Sequence, residues 1–314
     1  MKRILSTLPI FLVICGTLQA QQPSKTKPLF QHVVVIGIDG LSSGGLMKAD
    51  APVIHRMIAE GAFKYDARTV LPSSSSSNWS AMILGAGPEI TGITSNGWKP
   101  DGKSMKPVVV NKIGRSPSIF DIIRQQRPDA EQGVVFHWDD YGRLLQKEMV
   151  NEYEHAKSET EAAAKFSDYI TTRKPTFAFL HLDHVDGAGH KFGHMTPEYL
   201  QSIARADSLV GQVLKAIEQA GMKNNTLVMI VADHGGINKG HGGESAEEIT
   251  IPVVYYGRGV KKGYKIQQPV YQYDLAATIA FVFGLETPYS WTSRPVKAAF
   301  EGFNEPANLL VGLE

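Results

Sequence analysis

The stretch HVVVIGIDG, residues 32–40, decides the fold class of this chain. Its first seven residues form an apolar and largely β-branched run, the pattern of a β-strand that is buried on both faces. An aspartate and a glycine, Asp39 and Gly40, follow at once. An aspartate in this position is commonly a turn or capping residue, so Asp39 alone indicates little about function.

Four further runs have the same strand character: GVVFHW (133–138), TFAFLHL (176–182), TLVMIVA (226–232) and IPVVYYG (251–257). Between the runs lie segments with helical periodicity, namely residues 51–62, 118–126, 159–173 and 196–221. Apolar strands that alternate with amphipathic helices predict an α/β fold with a mainly parallel central sheet and helices on both faces. The polar, Gly- and Pro-marked segment 97–115 is expected to be a small excursion from this core.

The N-terminal segment MKRILSTLPIFLVICGTLQA, residues 1–20, has the order of a secretory signal peptide. A basic start precedes a short apolar run, and a small residue, Ala20, stands at the expected cleavage site. A membrane anchor is the alternative, but the apolar run is shorter than a membrane span and contains Pro9. We therefore predict an exported protein, periplasmic or secreted, whose residues 21–314 form a single domain without a stable membrane anchor.

The composition is that of an ordinary globular domain, with 43% apolar and 20% charged residues among 314. The formal net charge is +1, and no basic stripe indicates a nucleic-acid partner. Cleavage after Ala20 would remove the only cysteine, Cys15, which could be a lipidation site only if the bulky Ile14 before it were tolerated. The mature protein would then have no disulfide, and its metal ligands would be His, Asp or Glu.

Acidic residues and histidines follow three of the predicted strands. Asp39 follows the first strand, DHVDGAGHKFGH (183–194) the third, and DHGGINKGHGGE (233–244) the fourth. The two longer segments are expected to be histidine-rich loops. Parallel strands end at one edge of a sheet, so these groups are expected to lie together there. Carboxylates gathered in this way repel one another unless cations neutralise them. A mixed set of carboxylates and imidazoles suits zinc better than magnesium or calcium.

The same segments resemble the alkaline phosphatase superfamily, and within it the type I phosphodiesterase/nucleotide pyrophosphatase family. The motifs that carry the resemblance are VVIGIDG (34–40), VDGAGHKFGH (185–194), VADHGG (231–236) and GHGGE (240–244). The resemblance extends from about residue 32 to residue 285 and implies two zinc ions per chain. It assigns Asp186, His190 and His241 to one ion, and Asp39, Asp233, His234 and the oxygen of a Ser or Thr nucleophile to the other.

Competing residues lie near these assigned ligands. Asp183 is a second acid beside Asp186, and His181, His184 and His194 are further imidazoles. The family spacing to His190 favours Asp186. His241 follows Asp233 by only eight residues, a short form that looks more like the related phosphoethanolamine-transferase branch.

The serine run in TVLPSSSSSNWSAMILGAG, residues 69–87, has the composition of a flexible linker. The family resemblance points instead to a nucleophile three residues before an asparagine, at the start of a helix. Counting back from Asn78 selects Ser75, with Ser74 and Ser76 as the alternatives if the register slips. A second family asparagine, which binds the phosphoryl oxygen, falls 21 positions later on Asn96. The resemblance implies a metal-activated Ser75, a phosphoserine intermediate and a helix that begins near Asn78.

The predicted function is therefore that of a zinc-dependent phosphodiesterase or nucleotide pyrophosphatase acting on a small phosphate ester. A phosphomonoesterase, a phosphoethanolamine-type transferase, a sulfatase and a non-catalytic zinc-binding protein are the alternatives. A sulfatase is disfavoured because the serine run lacks the required Pro/Arg motif. A monoester dianion needs an additional cation, and no arginine between Asp39 and Asn96 is placed to supply one, although Lys99 lies nearby.

Overall fold

A computed structural model describes residues 27–101 and 103–309 of the chain. The predicted signal peptide lies outside these described residues. Eight strands form one sheet in the order β4-β3-β5-β1-β6-β7-β2-β8. Their bounds are β1 His32–Ile38, β2 Ala62–Arg68, β3 Gln132–Phe136, β4 Glu152–His155, β5 Phe177–Leu182, β6 Thr226–Val231, β7 Thr250–Tyr256 and β8 Tyr264–Lys265.

Seven of these strands run in one direction, and only β7 is antiparallel to its neighbours β6 and β2. The three central strands β5, β1 and β6 are parallel and in close register, with Ile38 opposite Leu182 and Gly37 opposite Val231. Every residue of β5 and β6 is buried. The predicted mainly parallel α/β fold is confirmed.

In the part of the chain that the structure describes, ten α-helices surround the sheet. Their bounds are α1 Ser43–Lys48, α2 Pro52–Glu60, α3 Ser75–Leu84, α4 Pro88–Thr91, α5 Ile119–Gln126, α6 Glu159–Arg173, α7 His184–Phe192, α8 Pro197–Gln219, α9 Ala246–Ile249 and α10 Asp274–Phe283. Helices α1, α2, α6 and α7 pack around the long helix α8, whereas α3, α5 and α10 pack against one another. Among the described residues, none of these helices is both long and apolar enough to cross a membrane.

Side chains alternate along β5 between the two helix layers, as the pleat of a strand requires. Phe177 contacts Phe120 of α5, and Phe179 and His181 contact Trp79 of α3, with ring centroids 4.8 to 6.0 Å apart. The helix that carries the serine run is therefore fixed against the sheet by aromatic packing. That packing places its first turn at the edge where β1, β5 and β6 end.

Two local predictions need correction. The helix expected to begin near Asn78 begins earlier, at Ser75, inside the serine run. The Asn78 side chain instead fixes the loop before the helix. Its Nδ2 donates to the carbonyls of Pro72 and Ser74, and its Oδ1 accepts from Val70 N. The stretch after β5 is a helix, α7, although its glycines made it look like a loop.

Candidate active site

Three acidic residues follow the ends of the three central parallel strands. Asp39 follows β1, Asp183 follows β5, and Asp233 follows β6 with one residue between. The backbone N–H of Asp39 donates to the Leu182 carbonyl at 2.9 Å, so the ladder of the sheet continues up to the acid. This edge is where ligands bind in open parallel sheets.

Asp39, Asp233 and His234 form the first group of possible metal ligands, and all three are buried. His234 Nε2 lies 3.1 Å from Asp233 Oδ2 and 3.3 Å from Asp39 Oδ1. The other oxygen of each carboxylate is engaged: Asp233 Oδ1 accepts from Gly40 N and His234 N at 3.1 and 2.9 Å. Trp79 Nε1 and His181 Nε2 contact Asp39 Oδ2 at 2.9 and 3.1 Å.

Asp186, His190 and His241 form the second group. Asp186 and His190 are four residues apart on α7, so their side chains lie on one face of the helix, and Asp186 Oδ2 is 3.1 Å from His190 Nε2. His241 comes from the loop after β6 and places Nε2 3.9 Å from Asp186 Oδ1. The rings of His241 and His234 stack at 3.6 Å, so the two groups adjoin.

The three candidate ligand histidines share one arrangement. Each places Nδ1 against a backbone carbonyl at 2.8 to 2.9 Å: Lys239 for His190, Gly235 for His234 and Ser73 for His241. A carbonyl only accepts, so Nδ1 keeps its proton and Nε2 is the nitrogen that presents a lone pair when the ring is neutral. In the metal-free protein His190 is charged, and its Nε2 donates to Asp186. Fixing the ring and tautomer in this way is typical of metal-binding histidines.

Only one hydroxyl of the serine run points at this cluster. Ser75 Oγ lies 3.2 Å from His234 Nε2 and is buried. Ser73 Oγ donates to the Gly243 carbonyl, and Ser74 Oγ pairs with Ser77 Oγ at 3.0 Å. Ser76 Oγ is buried without a partner among the described residues. The geometry supports Ser75 over its neighbours as the nucleophile, which remains a prediction.

Asn96 lies next to the start of α3. Its Oδ1 accepts from Ser76 N at 2.7 Å, which leaves the Nδ2 donor of its amide for another acceptor. Sequence reasoning missed Arg143, whose guanidinium donates to the Asn96 carbonyl and pairs with Asp140. Arg143 comes from the 3₁₀ turn after β3, 47 positions from Asn96, so spacing alone gives no signal for this contact.

The competing residues have other positions. His181 is fully buried and holds Asp39 instead of opening into the site, and Trp138 N lies 3.5 Å from its Nδ1. His184 faces the Ser202 carbonyl at 3.1 Å, away from both groups. His194 packs against Tyr199, and neither of its ring nitrogens has a partner among the described residues. Asp183 does lie near the site, within 4.8 Å of ligand atoms of Asp39 and His181.

Burial and crowding of like charges perturb the acids. Desolvation, reinforced by neighbouring carboxylates, raises the pKa of Asp39 and of Asp233 well above the usual range. Burial, together with Asp186, likewise raises the pKa of Asp183 to about 6. Burial also acts to raise the pKa of Asp186, but the hydrogen bond from His190 and the nearby imidazoles outweigh it and hold that pKa at about 2.

The histidines shift in opposite directions. The hydrogen bond to Asp186 raises the pKa of His190 to about 9, whereas burial, reinforced by His241, lowers the pKa of His234 to about 3. Each carboxylate keeps one buried oxygen that no described donor contacts: Asp39 Oδ1, Asp186 Oδ1 and Asp233 Oδ2. Such orphan oxygens are costly unless a cation binds them. They face imidazole Nε2 atoms, so the donor set fits divalent metal binding with mixed N/O ligands.

Comparison with known proteins agrees with this geometry. Residues 33–239, about two thirds of the chain, match the model of the type I phosphodiesterase/nucleotide pyrophosphatase family, and the chain belongs to that family. The predicted resemblance is thereby confirmed. The family lies within the alkaline phosphatase superfamily and is metal-dependent, typically with zinc.

Two curated relatives differ in the reaction that their names describe. GPI ethanolamine phosphate transferase 1 of Candida glabrata is 23% identical over 287 residues, covering 81% of this chain and 31% of the relative. Venom phosphodiesterase 2 of Crotalus adamanteus is 21% identical over 216 residues, covering 65% and 26%. The chain thus spans less than a third of the length of either relative.

One solved structure shares the fold. Murine ectonucleotide pyrophosphatase/phosphodiesterase 5, an inactive threonine-to-alanine variant in complex with AMP, superposes with a TM-score of 0.69 at 16% identity. The superposition covers 82% of this chain and 96% of that one.

Proposed function

We propose that the protein is a two-zinc phosphodiesterase/nucleotide pyrophosphatase that hydrolyses small phosphate esters through a phosphoserine intermediate on Ser75. One observation carries the proposal. Ser75 Oγ, alone among the five consecutive serine hydroxyls, lies against His234 Nε2, where the orphan oxygens of Asp39 and Asp233 also converge.

The residues that would hold the two ions are the two groups described above. Asp39, Asp233, His234 and Ser75 Oγ would hold one, and Asp186, His190 and His241 the other. When bound, zinc would lower the pKa of the serine hydroxyl and stabilise negative charge on the reacting oxygens.

His234 cannot replace a metal as the activator of Ser75. Its pKa of about 3 makes it a very weak base at neutral pH, and its Nδ1 faces a backbone carbonyl instead of a carboxylate. A serine–histidine–carboxylate relay needs a histidine that accepts a proton near neutral pH. The neutral His234 Nε2 lone pair suits a metal ligand better than a general base.

The chain's own groups position the substrate. Ser75 Oγ attacks phosphorus as the bond to the leaving oxygen breaks, and water then cleaves the phosphoserine and restores the hydroxyl. Asn96, held by Ser76 N through Oδ1, presents Nδ2 to a non-bridging phosphoryl oxygen as charge increases there. Ser75 is the first residue of α3, so the helix N-terminus also favours the negative phosphoryl group.

A diester is the favoured substrate. Arg143 brings a cation to the Asn96 backbone, but its guanidinium is paired with Asp140 and is not free to neutralise a monoester dianion. A phosphoethanolamine-type transferase is the second candidate, favoured by the eight-residue spacing between Asp233 and His241 and by the Candida glabrata relative. A transferase would pass the phosphoryl group from Ser75 to an alcohol instead of to water.

A substrate comparison tests the function. We expect about two zinc ions per chain, loss of activity on chelation, and recovery with zinc better than with magnesium. The value of kcat/KM for bis-p-nitrophenyl phosphate should exceed that for p-nitrophenyl phosphate by about tenfold or more, equivalent to about 1.4 kcal/mol. A preference for the monoester would favour a phosphatase. Turnover that requires an added alcohol would favour a transferase, and turnover of a sulfate ester alone would favour a sulfatase. Absence of any turnover by the zinc-loaded protein would favour a binding role.

We further propose that the protein is exported, that cleavage follows Ala20, and that residues 21–314 act as one catalytic domain. The order of charges and apolar residues in segment 1–20 supports this proposal. N-terminal sequencing of the protein recovered outside the cytoplasm checks the cleavage site.

A further inference from the structure

The segment 103–115, here called the valine loop, exposes an unusual number of apolar side chains. Within nine residues, Met105, Val108, Val109, Val110 and Ile113 are 42 to 71% exposed. These five are more than a third of the 13 large apolar side chains that are exposed among the described residues. Clusters of this kind mark interaction surfaces, whereas single exposed apolar residues are ordinary.

The valine loop is also strongly basic. It contains Lys103, Lys106, Lys112 and Arg115 and no acidic residue, a net charge of +4 in a chain whose formal net charge is +1. The three lysines are exposed. Arg115 is half-buried instead, with its guanidinium 5.4 Å from the ring centroid of Trp98.

Hydrogen bonds give the valine loop a defined shape. Asn111 Oδ1 accepts from Ile113 N and Arg115 N at 3.1 Å each, which closes a tight turn. Asn111 Nδ2 donates to Asp121 Oδ1 at 3.1 Å, and Val108 N donates to the Ile90 carbonyl at 2.9 Å. The exposed valines are therefore presented by an anchored loop.

We propose that the valine loop docks the protein onto a lipid surface that carries negative charge. Exposed apolar side chains among lysines match such a surface, because the apolar groups enter the region of the headgroups while the cations meet anionic lipids. A second copy of this chain is the weaker match, since a symmetric contact would bring two +4 loops together. This inference does not depend on the reaction proposed for the metal site.

The position of the loop gives docking a consequence for the site. Met105, Val110 and Ile113 line one side of a cavity of about 950 Å³, whose other walls include Trp98 and Arg143. Arg143 donates to the Asn96 carbonyl, so the cavity adjoins the candidate phosphoryl-binding residue. A docked loop would place this cavity at the lipid surface.

Vesicle binding tests the proposal. The full chain is mixed with vesicles of phosphatidylcholine alone or with 30% phosphatidylglycerol, and bound protein is measured by sedimentation. We expect wild-type protein to bind the anionic vesicles better. Lys103→Gln/Lys106→Gln/Lys112→Gln should weaken that binding about a hundredfold, because each lysine near an anionic surface contributes about fivefold. Val108→Ser/Val109→Ser should weaken it as well.

A matched variant controls for charge. Lys48→Gln/Lys262→Gln/Lys265→Gln removes three exposed lysines elsewhere and should keep nearly all of the vesicle binding. All variants carry the same N-terminal residues, so any contribution from these cancels. Equal loss of vesicle binding in both triple variants, or no loss in the loop variants, would overturn the proposal. A dimer that Val108→Ser/Val109→Ser dissociates without changing vesicle binding would overturn it too. Hydrolysis of a soluble diester should be unchanged in every variant, which separates this test from that of the reaction.

Discussion

Asp39 uses its two carboxylate oxygens for different purposes. Oδ2 lies against Trp79 Nε1 and His181 Nε2, two rigid ring donors that are completely buried. Oδ1 has no donor among the described residues and faces His234 Nε2 at 3.3 Å. Because both rings are packed against the sheet, the carboxylate cannot rotate away, and its free oxygen is held in place for a cation.

The hydroxyl of Ser75 can be tested by a single substitution. Ser75→Ala should lower kcat for a diester on the order of 10³-fold or more, since in the proposed reaction the nucleophile and the metal would act as one unit. Ser76→Ala is the matched control, because Ser76 Oγ contacts no described polar group and the backbone N–H that meets Asn96 is retained. Kinetics on purified variants with zinc present measure both. Loss of activity in Ser74→Ala or Ser76→Ala instead would mean that the substituted serine is the nucleophile. Full activity in all three variants would point to water as the nucleophile.

Arg143 is expected to act through Asn96. Arg143→Gln removes its contact with the Asn96 carbonyl and should lower kcat/KM for a diester about tenfold, mainly in kcat, because Asn96 would act in the transition state. The ratio of diester to monoester rates should stay the same. A selective loss of monoester hydrolysis would instead mean that Arg143 contacts the substrate. Arg205→Gln, which removes an exposed arginine paired with Glu159, should have no effect.

Helix α7 is the element that brings two candidate metal ligands together. It begins two residues after β5 ends and holds Asp186 and His190 one turn apart. Gly189, on the same turn, lets the helix approach the buried ring of His194, where an added Cβ would lie 2.6 Å from Nε2. Gly187 has open space around it. Close packing therefore requires a glycine at position 189 but not at position 187.

Alanine substitutions at Gly189 and Gly187 test this difference in packing. Gly189→Ala should destabilise the protein by about 1–3 kcal/mol through overpacking and should lower zinc affinity by displacing His190. Gly187→Ala should be neutral or stabilise by about 0.5–1 kcal/mol, because alanine is the better helix former. Urea unfolding and zinc titration measure the two effects. Equal stability of the two variants would show that α7 does not need the close approach to His194.

The elements differ in how far the sequence predicts them. Buried strands such as β1 are predictable because a strand covered on both faces must be apolar along its whole length. Strand β4, Glu152–His155, was not predicted, because a short half-exposed edge strand has no such pattern. Helix α7 was missed since its two glycines and polar residues resemble a loop. The contact of Arg143 with Asn96 depends on tertiary packing, which spacing along the chain does not encode.

The charge of the whole site affects the stability of the metal-free protein. A buried carboxyl with a raised pKa keeps its proton in the folded state after the unfolded chain has lost it, so stability falls as pH rises through the folded pKa. Asp39 and Asp233 act in this sense. His190 does too: its contribution is complete below the unfolded pKa of about 6.5 and is lost as pH rises through about 9.

We therefore expect the melting temperature of chelated protein to fall between pH 7 and pH 9. Asp186 and His234, with pKa values of about 2 and 3, titrate below this window and do not offset the fall. His190→Gln should make the fall smaller, and excess zinc should abolish it, because the cation favours the deprotonated ligands. Calorimetry at several pH values measures the slope. A variant slope equal to that of wild type would contradict the assignment to His190.

The ends of the sheet have a consequence for how the protein behaves at high concentration. Its outer strands, β4 and β8, are only four and two residues long. An unpaired strand edge is a template for the stacking of further chains, and short, charged edges blunt that tendency. Glu152 and Glu154 place negative charge along β4, and Lys265 stands on β8. The long apolar strands that lead to the candidate site lie in the middle of the sheet, so the segments most prone to form fibrils are shielded by their own neighbours.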